Sequence, residues 1–124
     1  MAYTTRIINI KLDEIRSYFN LNISQLAVLL GISRQAMHRW RDGKSLPCLK
    51  IYWRIEAFHM ATIRFKDANI VEPLKLLHAP VFKGRSLANL IDANQEYFPA
   101  ISYLIMEQRR MLADANQLQL SLVF

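Results

Sequence analysis

The chain holds a single cysteine, Cys48, so no disulfide can form within it, and the reading that follows is a protein of the reducing cytoplasm. No uncharged run reaches the roughly 18–20 residues of a membrane span, and the opening Met-Ala-Tyr-Thr-Thr-Arg leads into no apolar signal core. Internal repeats and low-complexity tracts are absent. His38, His59 and His78 are scattered, with no HxxxH or CxxC spacing, so neither a metal nor another cofactor is expected. Cys48 and His59 could be imagined as nucleophile and base. Eleven residues of helix would separate them by about 16 Å, too far for that chemistry. No GxGxxG, P-loop or GxSxG occurs, and Asp13, Glu14 and Glu107 are ordinary helix-surface carboxylates. The expectation is a protein that is not an enzyme.

Acidic residues are scarce in one half. Residues 1–66 carry eleven Lys/Arg against four Asp/Glu, while residues 67–124 carry five against six. The net charge of +6 is therefore +7 in the first half and −1 in the second, as expected of a surface in the first half that meets a polyanion. The apolar fraction of 52% over 124 residues suffices for a packed core.

The most organised stretch is Asn22 to Gly43. Leu26, Ala27 and Leu30 recur at helical spacing, and Met37 and Trp40 do the same in a second short helix. Gly31 stands where the first helix must stop and the chain bend. Ser33 is placed to cap the second helix. That helix then turns Arg34, Gln35, His38 and Arg39 outward. A rod anchored on Met37 and Trp40 and faced with long donors suits a DNA major groove.

These residues, Gln25-Leu26-Ala27, Leu30-Gly31-Ile32-Ser33, Arg39-Trp40-Arg41-Asp42-Gly43-Lys44 and Pro47, resemble the helix-turn-helix of the Cro/C1/Xre repressors over residues 10 to 62. The resemblance implies a sequence-specific transcription regulator, most simply a dimeric repressor of a short inverted repeat, and the small size without an obvious sensor pocket suggests a phage, plasmid or other mobile-element switch, or autoregulation. In that setting Arg34, Gln35, His38 and Arg39 would reach base edges, and Ser24, Gln25, Ser33, Arg41 and Lys44 would bind phosphates. A second resemblance runs from Leu77 to Ile91, with Pro80, Gly84 and a Ser86-capped helix in the order found in the toxin-binding part of Xre/MbcA/ParS-type antitoxins. It implies a protein partner, a toxin, as the alternative.

The remaining chain reads as all-α: a four-helix unit over 1–66 and a small helical region over 67–124. Residues 2–10, AYTTRIINI, are β-branched and predict a short strand or an arm carrying Arg6. Lys11–Phe19 is helix one, with Leu12, Ile15 and Phe19 inward. Pro47–Met60 is helix four, packing Ile51, Ile55 and Phe58, with Lys50 and Arg54 outside. Residues 61–68 fit either continued helix or linker. Short helices over 70–77 and 87–93 precede a long one over 94–116, whose face of Ile101, Leu104, Ile105, Met111 and Leu112 is expected to meet a second subunit. The tail Leu118–Phe124 alternates like a strand that could pair with residues 6–10.

Overall fold

A computed structural model describes the backbone of residues 2–123 and the side chains of residues 4–118. Seven helices follow one another: α1 (Ala2–Phe19), α2 (Ile23–Leu30), α3 (Arg34–Arg41), α4 (Leu49–Asp67), α5 (Pro73–His78), α6 (Leu87–Asp92) and α7 (Tyr97–Val123). The expected all-α class is what is found. The sole β pairing among the described residues is an isolated bridge between Phe82 and Arg85.

Both terminal strands are corrected. The β-branched run at the start belongs to α1, because Ile8, Leu12, Ile15 and Phe19 form one unbroken buried stripe at spacings of four, three and four. Burial along that stripe outweighs the weak extended preference of Thr and Ile. At the other end α7 continues through Val123 as helix, and Phe124 lies outside the described residues.

The centre is α4. Ile51, Ile55, Phe58, Thr62 and Phe65 form one buried face, and Ala57 and Ala61 open a second where small side chains let neighbours approach. Burial of Ala61, Thr62 and Phe65 is why the helix runs on past Met60. Its start is later than expected: Cys48 occupies the N-cap position and Pro47 precedes it. Helix α1 lies along α4, and Lys11–Glu56, Glu14–His59 and the Phe19–Phe65 ring pair ascend both helices together. The two therefore run parallel. Parallel neighbours need a crossover, and α2, the turn and α3 are that crossover.

The second half docks on the other side of α4. Positive φ at Asn69 and Glu72, with Pro73 next, delays α5 to Pro73. Ser86 and Asn89 form a capping box at α6. Asn94, at φ 52, ends α6, so α7 starts at Tyr97 rather than at Asn94. One continuous cluster of buried side chains runs from Ile8 to Ile105 across both halves.

That cluster also corrects the expected subunit interface. Ile101, Leu104 and Ile105 are 0%, 2% and 6% exposed, packed inside this chain. Met111 and Leu112 alone of the five are exposed, at 60% and 47%.

Candidate nucleic-acid interface

Helix α2 begins with a reciprocal cap: Gln25 N–H donates to Asn22 Oδ1 at 2.8 Å, and Asn22 N–H donates to Gln25 Oε1 at 2.9 Å. It ends at Gly31, whose φ of 74 places it in the left-handed region. Ile32 N–H donates to Ala27 O at 3.0 Å and Gly31 N–H to Val28 O at 3.1 Å, the two bonds of a Schellman turn. Ser33 Oγ then accepts from Ala36 N–H at 3.1 Å and starts α3. Helix α3 closes as α2 does, with Gly43 at φ 73 and Lys44 N–H donating to Arg39 O at 2.8 Å. Each signal is local, which is why eight residues of helix stop and start at these positions.

Met37 and Trp40 are the buried residues of α3. They set the helix's rotation about its own axis. Arg34, Gln35, His38 and Arg39 are consequently exposed, and none makes a side-chain hydrogen bond or ion pair within the chain among the described residues. The four residues expected at base edges therefore share one outward surface with their donors free.

The five expected phosphate ligands differ among themselves. Ser24 and Lys44 are exposed. Gln25 uses its side-chain oxygen on Asn22, which leaves its amide N–H groups, and Ser33 uses an oxygen lone pair on Ala36, which leaves its hydroxyl proton. Arg41 is half-buried, and its Nη1 donates to Asp13 Oδ1 at 3.1 Å. It ties α3 to α1 and has only part of its guanidinium to offer. Arg6, now on α1, lines a cleft of about 710 Å³ that Arg41 and Lys44 also border, together with Asp13 and Asp42.

One residue that the sequence reading placed outside proves to hold the unit together. The side chain of Arg54 is 15% exposed. Its Nη1 donates to Leu30 O at 3.0 Å and its Nη2 to Asp92 O at 3.2 Å, while Nε lies 3.6 Å from Asp92 Oδ1. Leu30 and Asp92 are the last residues of α2 and α6, so a single guanidinium caps two helix C-termini, where carbonyls lack partners and the dipole is negative. Burial pushes the Asp92 carboxyl above its usual range, against the opposing pull of Arg54, His78 and Lys50. A Cβ at Gly31 would stand 2.8 Å from Arg54 Nη1, so a side chain at this turn would displace the guanidinium as well as strain the backbone. Nothing in the local pattern near Arg54 signals this, because its partners lie 24 and 38 residues away.

In the Leu77–Ile91 segment that resembles antitoxins, Leu77, Leu87 and Ile91 are buried in this chain's own core. Among the described residues no group of three or more His, Cys, Asp or Glu is placed to hold a metal, and no helix is long and apolar enough to cross a membrane.

The architecture around the exposed face of α3 is that of a helix-turn-helix. Comparison with known proteins points the same way. Over 78 residues, 63% of this chain, it is 31% identical to a protein of Pyrococcus horikoshii and 28% identical to one of Pyrococcus abyssi, both named, provisionally, as HTH-type transcriptional regulatory proteins. The chain matches 22% of the length of each of these curated relatives. No protein-family profile matches it, and no solved structure does.

Proposed function

We propose that the chain is a sequence-specific DNA-binding transcription regulator. Helix α3 enters the major groove, and two copies read an inverted repeat and repress by occluding the promoter. The observation that carries the reading is the outward face of Arg34, Gln35, His38 and Arg39, fixed in rotation by Met37 and Trp40 and left unpaired within the chain. The charge excess in residues 1–66 and the similarity to HTH-type regulatory proteins support it. Arginine matches guanine O6 and N7, and glutamine matches adenine N6 and N7. Ser24, Gln25, Ser33 and Lys44 flank that face as phosphate ligands, with Arg41 secondary because Asp13 already engages it.

Selection of bound DNA from a random pool, followed by footprinting, tests the proposal. The expected result is one enriched motif in two symmetric half-sites about one helical turn, 10–10.5 base pairs, or a multiple of it apart. No enrichment at any salt concentration would refute it.

The roles separate by substitution. Arg39→Ala is expected to cost about 1–3 kcal/mol on the selected site and to relax discrimination at one base pair. Lys44→Ala should weaken selected and random DNA alike and make log K less steep in log salt by about one unit. Titration of each variant against both DNAs at several salt concentrations checks this. Equal losses on both DNAs for both variants would show the division of roles to be wrong.

A further inference from the structure

Every described position of α7 from Arg109 to Leu118 is exposed, so among the described residues none buries the second half of the helix. Yet the stretch is strongly two-faced. Met111, Ala115 and Leu118 follow at spacings of four and three, the seam of a paired helix, with Leu112 beside them. Arg109, Arg110 and Asp114 lie off that seam. The buried Ile101, Leu104 and Ile105 anchor the same helix earlier along its length, so the seam projects from a fixed base.

Met111, Leu112 and Ala115 also form one wall of a groove of about 610 Å³, whose facing wall includes Val71, Leu76 and Val81, and Leu118 continues the seam beyond it. Gln108 holds that wall in place: its Nε2 donates to Val71 O, and its Oε1 accepts from Val71 N–H, each at 2.9 Å. The groove is therefore built by a reciprocal bond rather than left by loose packing.

We infer that the occupant is a second copy of this chain, with the exposed part of each α7 laid into the groove of the other in a two-fold, isologous contact. Three observations favour a like partner. First, seam and groove are contiguous on one surface, so a two-fold axis can satisfy both at once. Second, Arg110 bonds to both Glu107 and Asp114 on its own helix, offsetting one of the two negative charges that each identical helix would otherwise bring to the contact. Third, Val71, Val81, Tyr103, Met111, Leu112 and Leu118 are each between 47% and 64% exposed. Side chains of this size at about half exposure offer on the order of 500 Å² per copy, so a pair reaches the ~1,000 Å² of a specific interface. The contact would be one way to supply the two copies of the proposed function, but it does not depend on DNA.

Sedimentation equilibrium of the full chain without DNA tests it, with Met111→Glu and Leu118→Glu as variants. Both positions are exposed, so each variant should keep the helix content of the parent, and its melting temperature should match that of the parent at concentrations where the parent is monomeric. The expected result is a reversible dimer whose dissociation constant rises tenfold or more in each variant. A parent that stays monomeric at ~100 μM, or a dimer that survives both substitutions, overturns the inference, including the case where another protein or a small apolar ligand fills the groove. A monomer that still selects a DNA half-site would refute this contact and leave the DNA reading standing. A dimer without DNA preference would do the reverse.

Discussion

Trp40→Ala is expected to destabilise the folded chain by about 3–5 kcal/mol, as large-to-small changes at a buried aromatic do. The side chain is 5% exposed and is one of two buried residues on an eight-residue helix. A helix of that length has no independent stability, so what keeps α3 helical is its packing on α1 and α2. Against a typical total of about 5–15 kcal/mol, the loss is about a fifth of the stability at the least and all of it at the most. It should lower the thermal midpoint by about 10–20 °C, read by far-ultraviolet circular dichroism. Under the proposed function DNA affinity should fall as well, though Trp40 is buried, because the four outward donors lose their common orientation. Amide exchange across Arg34–Arg41 distinguishes the two effects: protection there should fall first, before that of the Ile55–Phe65 core. Trp40→Phe retains most of the buried surface and should recover most of the stability. A change below about 1 kcal/mol for the alanine variant would mean that Met37 alone sets the rotation of α3.

The helix-turn-helix was legible in the sequence because its signals are local. Asn22, Gly31, Ser33 and Gly43 act on the backbone within a turn of themselves, and Leu26, Leu30, Met37 and Trp40 report their burial by spacing alone. The first turns of α1 were not legible in this way. Thr4 to Ile10 favours extended backbone locally, and what makes it helical is α4, some 45 residues further along. In α7 the periodicity identified an apolar face correctly but could not say what covers it. Ile101, Leu104 and Ile105 meet this chain's own core, and Met111 and Leu112 do not. The distinction depends on where the body of the protein ends along the helix, a property of the tertiary arrangement and not of any window of sequence. Arg54 fails to announce itself for the same reason, since an arginine on a helix looks alike whether its head meets water or two carbonyls.

Arg54→Met should therefore cost about 2–3 kcal/mol, more than an exposed arginine would, because charge-assisted bonds to two helix-terminal carbonyls are lost while the aliphatic stem is kept. Leu30 O and Asp92 O lose a donor, and the Asp92 carboxylate loses its nearest cation. The effect should depend on pH with a defined sign. Burial already raises the Asp92 pKa in the folded state, and removing Arg54 takes away the largest opposing pull, so it rises further. A carboxyl whose folded pKa lies above its unfolded value favours folding below the unfolded value, and that contribution is lost as pH climbs through the folded one. The penalty of Arg54→Met is accordingly larger at pH 7 than at pH 4, which urea denaturation at the two pH values measures. Gly31→Ala supplies the cross-check. Its methyl group would stand 2.8 Å from Arg54 Nη1 and its φ of +74 would be strained. In the Arg54→Met background the steric part disappears and only the backbone strain remains, on the order of 1 kcal/mol. The double variant should thus be more stable than the sum of the single changes implies. Strict additivity would show that the guanidinium does not grip the turn at Gly31.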